Sequence, residues 1–375
     1  MVRWRPSSRL AMSRIHSFND YKVEIAETLN EKERWENNAW GSYDKTFKII
    51  EGASSGKLNL NEQPCFGNHR SGWSYVLDQL APLHNDEGVF FDSFVERNFS
   101  WKREIETYDQ DWVGVLHNPP FTPEWFFGFN SLEKIIVKPQ FQESLKTCKG
   151  FFTLSTDLAE YVQSETGIPT HPLIHPTETP DKIFNFQKFL KNEDKKIFLI
   201  GYWLRNMLSL FLLPLDKSSG YRKIRLLPYV GESPIKTINY FLIKQKEIHG
   251  KDVPEKYNDN TYDLTRLSNE AYDNIFIDNI LFLDLYASSA NNGVIEAIAR
   301  ATPTLINKLP ATIEYFGKDY PLFFDTLDEA AAKALDYDLI EKAHQYLLTC
   351  ETRRRLDGNY FRKSLEESEI YKSLK

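Results

Sequence analysis

The chain has 375 residues, 41% of them hydrophobic and 26% charged, which are the proportions of a globular protein with material for two cores. A formal charge of −7 excludes the basic excess expected of a nucleic-acid surface. Three cysteines, Cys65, Cys148 and Cys350, lie far apart, odd in number and without metal spacing, so free thiols in a reducing, cytoplasmic compartment are expected.

Residues 1–60 are polar and read as an N-terminal extension with one helix around Val23 to Trp35. Within it, Arg3, Arg5, Arg9 and Arg14 accompany no acid over the first eighteen residues, and no continuous apolar run marks a secretory signal. A tail, or a start at Met12, is expected there, with peripheral contact to an anionic membrane as the alternative. Residues 61–178 then alternate. Strands are predicted at Val89 to Phe91, Trp112 to Leu116, Lys134 to Val137, Phe151 to Leu154 and Pro172 to Ile174. Helices are predicted at Trp73 to Leu80, Phe141 to Lys146 and Asp157 to Thr166. The Pro-rich segment His175 to Pro180 punctuates this pattern and marks the crossing to a second domain, residues 179–345.

In that second block the predicted strands are Lys196 to Ile200, Lys223 to Leu227, Ile280 to Leu283 and Thr304 to Ile306. Residues 250–262 read as a polar loop, and Leu327 to Leu335 and Leu339 to Leu348 as helices. The apolar stretch Ile197 to Leu215 approaches membrane-spanning length, but Gly201, Arg205, Asn206 and Ser209 interrupt it, so strand, loop and short helix are expected instead. Residues 346–375 form a charged helical segment, expected to pack back on the first domain. The fold class is therefore α/β, with two Rossmann-like doubly wound parallel sheets facing across a cleft, where ligands sit beyond the strand C-terminal ends.

The richest stretch is residues 286–310. A strand meets a loop of small and amide residues, a helix opens with one acid at Glu296, and another strand follows. Such a loop offers unpaired backbone N–H groups at a helix start, and Asn291, Asn292 and Gly293 let phosphates approach the backbone. Glu296 is then placed to receive sugar hydroxyls; a βαβ unit with an Asn cap and an acid complementing the helix dipole is the plainer reading. Arg205 follows a strand inside an apolar run, after Gly201, and suits a diphosphate clamp. His117 directly follows the strand Trp112 to Leu116 and is held by a stiff Pro-rich loop. His69, Arg70 and Gly72 precede the helix at Trp73, where Gly72 permits close approach.

The Asp-x-Asp patterns are poorly placed for a metal. Asp109 and Asp111 stand at a strand N-terminal end, and Asp336 and Asp338 fall in a turn between helices. Gly-x-Gly-x-x-Gly, P-loop and Gly-x-Ser-x-Gly patterns are missing. No metal and no bound cofactor is expected.

Taken together the chain resembles glycosyltransferases of the GT-B type that serve bacterial and viral polysaccharide assembly. The resemblance covers most of residues 65–325. It rests on His69-Arg70-Ser71-Gly72-Trp73, His117-Asn118-Pro119-Pro120, Phe152-Thr153-Leu154-Ser155-Thr156, His175-Pro176-Thr177 and Gly201-Tyr202-Trp203-Leu204-Arg205. Above all it rests on Ser289 to Glu296 and on Leu309 to Gly317. It implies a nucleotide-diphosphate-sugar donor on the C-terminal domain and a glycan or other hydroxyl acceptor on the N-terminal one, near Arg70 and Gly72. It implies that Glu296 binds ribose, that Ser289, Asn291, Asn292, Gly293 and Val294 line the donor sugar and diphosphate, and that Arg205 and Gly201 form the clamp. His117 or His69 would orient a substrate, or act as base if the transfer inverts. Retaining members carry a glutamate eight positions before the ribose-binding one; here that position is Ser288. A non-catalytic nucleotide- or carbohydrate-binding scaffold and a nucleotide-sugar epimerase are the alternatives.

Overall fold

Two parallel sheets carry the chain, seen in a computed structural model that describes residues 13–14, 47–48, 56–61, 63–64, 70–226, 232–264 and 267–375. The expected helix at Val23 to Trp35, together with Cys65 and His69, lies outside the described residues. In the first sheet, β3 (Leu58–Asn59), β5 (Val89–Asp92), β6 (Trp112–Leu116), β7 (Cys148–Thr153) and β8 (Thr170–Pro172) stand side by side in that order, all parallel. Two further short strands, β2 (Phe47–Lys48) and β4 (Gln63–Pro64), pair antiparallel apart from it. Alternation along β6 and β7 sends Trp112, Leu116 and Phe151 to one face and Val113, Val115 and Phe152 to the other, so the sheet is buried on both sides.

The second sheet has the order β11-β10-β9-β12-β13-β14. Its strands β9 (Lys195–Ile200), β10 (Tyr221–Leu226), β11 (Thr261–Leu264), β12 (Ile280–Leu283), β13 (Thr304–Asn307) and β14 (Phe323–Phe324) run parallel, and β1 (Ser13–Arg14) adds an antiparallel edge on β11. Strand order reverses at β9: the next strand in sequence lies on one side of it and β12 on the other. The crevice at such a reversal, beyond the C-terminal ends of β9 and β12, is where doubly wound sheets take ligands.

After β14 the chain returns to the first domain. Phe361, Leu365, Ile370 and Leu374 share a core with Leu58, Trp73, Leu77 and Phe152. The approach is close at Gly150 in β7, where an added Cβ would fall 2.6 Å from Ile370 Cγ2. Lys57 Nζ donates to the carbonyls of Lys372 and Leu374 at 3.0 and 2.7 Å, tying the last turn to β3. The apolar stretch from Ile197 resolves into β9, a loop and the helix Met207–Leu212. No helix among the described residues is long and apolar enough to cross a membrane.

Two expectations are corrected. Lys134 to Val137 is not a strand but the end of the helix Leu132–Ile136: Leu132, Ile135 and Ile136 are buried at helical spacing while Val137 is exposed. Three consecutive apolar residues, Ile135 to Val137, cannot separate period 2 from period 3.6. Residues 250–262 are not simply a loop. They hold the helix Glu255–Asn258 and the start of β11. The polar composition of β11 hid it, because Asp263 is buried only by pairing with Arg225 on β10, Nε to Oδ1 at 2.8 Å and Nη2 to Oδ2 at 2.9 Å.

That forked pair sets a prediction. Asp263→Ala leaves Arg225 as a buried charge without its carboxylate and should lower unfolding free energy by about 3–5 kcal/mol, whereas Asp263→Leu combined with Arg225→Met should be far milder. Urea denaturation of the two variants checks it; equal losses would mean that the pair's charge is not what matters.

Candidate functional site

The loops that leave β9 and β12 are joined directly to each other. Arg205 and Leu285 form an antiparallel bridge, Tyr286 N–H donates to the Leu204 carbonyl at 2.9 Å, and Asn206 N–H donates to the Asp284 carbonyl at 2.7 Å. Asn206 Nδ2 also donates to Asp284 Oδ2 at 2.9 Å. Burial lifts the Asp284 carboxyl to about 6, against the opposing bonds from Ser209 and Asn206. Asp284 was not anticipated, because its partners lie nearly eighty positions earlier and the loop around it carries no pattern.

This junction sets Arg205 in place. The residue is only 8% exposed. Nη1 donates to the Trp203 carbonyl at 2.6 Å and Nη2 to Asn291 Oδ1 at 3.0 Å, while Nε is buried without a partner. Among the described residues no carboxylate forms an ion pair with it. Burial lowers its pKa to about 10, so it stays a cation at neutral pH. Gly201 makes room for it: at φ +71° an added Cβ would come 2.9 Å from Arg205 Cζ.

Asn291 is the cap of the helix Asn292–Arg300. Besides holding Arg205, its Oδ1 accepts from the N–H groups of Gly293 and Val294 at 2.9 and 3.4 Å. Of the two readings of this helix start, the Asn cap holds and the open amides do not: the Gly293 and Val294 groups are taken by the cap, and the helix end reaches the crevice through Asn291 and Arg205. Gly293 is small for packing, since a Cβ there would meet Ile200 and Asn291 Oδ1 at 3.2 Å. Asn292 stands half-buried at the first turn, and Ser289 is buried with its hydroxyl unpartnered.

Glu296 lies one turn further on and is 1% exposed. Ser71 Oγ, from the other domain, donates to its Oε1 at 3.0 Å, and Arg300 Nη1 stands 3.5 Å from Oε2. The Tyr272 hydroxyl is a further donor; burial, then Glu296, holds its proton far above the ordinary tyrosine range. Arg70 spans the domains as well, gripping Asp273 through Nη2 at 2.6 Å and Nε at 3.3 Å and reaching Glu178 at 3.3 Å. Gly72 caps the helix Trp73–Leu80 without a side chain to fill the cap position.

His117 is clamped on all sides. Its ring stacks on Phe94 at 3.8 Å between centroids and meets Trp73 edge-on at 4.6 Å. Nε2 bonds the Ser93 carbonyl at 2.9 Å, which assigns the proton to that nitrogen. Burial drives its pKa to about 3, and the Ser93 bond offsets this only in part. A ring so reluctant to take a proton is a poor base at neutral pH, which corrects that part of the expectation and leaves an orienting role. Beneath it Glu96, wholly buried, accepts from the N–H groups of His117 and Asn118 through Oε1 at 2.6 and 2.7 Å, while Oε2 has no partner. Burial raises this carboxyl to about 7. Glu96 escaped the sequence reading because its function is to hold a loop some twenty residues away.

Outside the crevice, Asp336 caps the helix Tyr337–Thr349 by accepting from Leu339 N–H at 2.9 Å, and Asp111 pairs with Lys149 at 2.8 Å.

No family model and no curated protein matches the sequence. The architecture does match solved structures. A trehalose-6-phosphate structure from E. coli bound with UDP-2-fluoro glucose aligns at a TM-score of 0.52 and 14% identity, over 81% of this chain and 79% of that one. A structure of trehalose-6-phosphate synthase OtsA aligns at a TM-score of 0.52 and 15% identity, over 78% and 76%. At these identities the likeness concerns the fold, and the chain has the two-domain GT-B architecture.

Glu96 supplies a test of the loop that holds His117. With its ordinary value at 4.5 and its folded value near 7, it favours the folded state less as pH rises through that window, because above it the folded protein must keep a desolvated charge. Glu96→Gln retains an acceptor for both N–H groups and should gain up to about 3 kcal/mol over the parent at pH 8 but little at pH 5. Denaturant midpoints at the two pH values decide it, and an equal difference at both would rule out the charge as the cause.

Proposed function

We propose that this GT-B chain is a glycosyltransferase that moves a sugar from a nucleoside-diphosphate-sugar donor to a glycan or other hydroxyl acceptor, with retention and without a metal. The observation that carries the reading is Arg205: a buried cation that pairs with no carboxylate among the described residues, its Nε–H unpartnered, at the strand reversal of the second sheet. A desolvated guanidinium lacking a counter-ion favours a phosphate, and such a group stabilises the charge that grows on a departing diphosphate.

Each neighbour then has a role. Asn291 aims Arg205 through its 3.0 Å bond and passes on the positive end of its helix. The unpartnered Ser289 hydroxyl is a donor for the diphosphate or donor sugar. Asn292, Gly293 and Val294 shape that wall. Glu296 accepts the ribose hydroxyls, a task suited to an acid that already collects hydroxyl donors. His117, neutral and rigid, orients the donor or acceptor, with His69, Arg70 and Gly72 on the acceptor side. Retention agrees with a His117 too weakly basic to activate an acceptor, so the departing diphosphate takes the acceptor proton. The UDP ligand of the E. coli structure favours a uridine donor as the first to try. The cytoplasm is the compartment of this reading, with peripheral contact of the N-terminal arginines to anionic lipid as its alternative.

A second reading, a nucleotide- or carbohydrate-binding scaffold without turnover, draws on Ser288, which stands where retaining members carry an acid. An epimerase would turn over a nucleotide sugar with no acceptor present.

A nucleotide-sugar panel separates these readings. UDP, GDP or ADP, or a sugar conjugate of one, should raise the melting temperature as binding to the native state requires. Arg205→Met should reduce kcat about 100- to 1,000-fold in acceptor-dependent nucleotide release, and Glu296→Gln should mainly raise KM for the donor. Unchanged turnover in both variants would remove these residues from the site, while binding without turnover in the parent would favour the scaffold.

A further inference from the structure

The acid assigned to ribose is already occupied by the chain itself. Ser71 Oγ donates to Glu296 Oε1 at 3.0 Å across 225 positions of sequence, and the carboxylate is 1% exposed. On the same carboxylate, Arg300 Nη1 stands 3.5 Å from Oε2, and Arg300 Nη2 donates to Asp273 at 2.6 Å. Asp273 in turn is forked by Arg70, the residue before Ser71. Burial pushes the Asp273 carboxyl up, but the bonds from Arg70 and Arg300 outweigh it and hold the group below the usual range. The circuit is closed: Arg70 and Ser71 are consecutive in one domain, Glu296, Arg300 and Asp273 belong to the other, and every link is charged or charge-assisted.

We propose that this circuit is an interdomain latch that competes with the nucleotide sugar. Ser71 takes the bond on Glu296 that a ribose hydroxyl would take, and the Arg70–Asp273 fork keeps Ser71 there, so donor entry requires the latch to open. The inference rests on the glycosyltransferase reading for the identity of the competitor, and on geometry alone for the latch.

The chemistry gives the latch a graded character. The Ser71 bond is a single hydroxyl-to-carboxylate link, replaceable by an equivalent hydroxyl at little net change. The Arg70 fork is two bonds to one carboxylate at a partly exposed site, 31% of the Arg70 side chain being accessible, so it is reachable by water and salt. Arg300, by contrast, is 1% exposed and stays with Glu296 in either state, because releasing it would strand a buried charge. Opening therefore breaks the links made by residues 70 and 71 and keeps those within the second domain. A binding-competent state that is only partly populated weakens apparent affinity in proportion, so loosening the latch strengthens donor binding.

Three variants of the full chain test this: Ser71→Ala, Arg70→Ala and Arg70→Lys. Small-angle scattering without nucleotide should show a larger radius of gyration for Arg70→Ala than for the parent, and an intermediate one for Arg70→Lys, which keeps the charge but not the fork. Titration calorimetry with UDP and with GDP should show about tenfold tighter binding to Ser71→Ala of whichever nucleotide binds the parent. Unchanged scattering in Arg70→Ala overturns the latch, and unchanged or weaker nucleotide binding in Ser71→Ala overturns the competition. If neither nucleotide binds the parent or any variant while scattering responds as expected, the latch stands and the glycosyltransferase reading falls.

Discussion

A guanidinium taken out of water has to meet its charge with something, and at Arg205 the described residues meet it with dipoles. The Trp203 carbonyl takes an N–H of Nη1, the Asn291 amide oxygen takes one of Nη2, and the Nε–H is buried without a partner. That arrangement depends on Gly201, whose positive φ and lack of a side chain open the space, and on the bridge between residues 205 and 285 that fastens the two strand-end loops together. The crevice of the second sheet is thus built around a cation with which no described residue forms an ion pair.

The facing domain supplies a seam rather than an open mouth. Arg70 and Ser71 reach Asp273 and Glu296, Thr156 donates to Glu314 at 2.8 Å through both its N–H and its hydroxyl, and the Tyr315 hydroxyl bridges the Leu154 carbonyl and the His175 amide. An aromatic plug adds to these polar links: Phe126, on the loop that follows His117, stacks on Phe241 at 4.2 Å and packs against Trp203 at 5.6 Å. Because Trp203 also accepts from Arg205, the His117 loop and the Arg205 loop share one packed neighbour. Motion between the domains must therefore be felt at both.

Much of this was legible from the residues. The strands at Trp112 to Leu116 and Ile280 to Leu283 and the helices at Trp73 to Leu80 and Leu327 to Leu335 fall where apolar periodicity puts them. The crevice positions of Arg205, Asn291 and Glu296 follow from their places after or between such strands. The failures share a cause. At Leu132–Ile136 the apolar run was too short to show its period, and at β11 a buried acid disguised a strand because its partner Arg225 lay 38 positions earlier.

By itself the sequence determined the α/β alternation, most of the central strands, the two parallel sheets, and the kinds of residue waiting at their C-terminal ends, because these follow from local periodicity and from the rules of strand crossover. Only the tertiary structure decided how those residues are used. It left Arg205 without an acid among the described residues, set Glu96 beneath His117, and placed Ser71 on Glu296. Hydrogen bonds and burial are settled between groups that are tens to hundreds of positions apart, and no local pattern in a single chain carries that information.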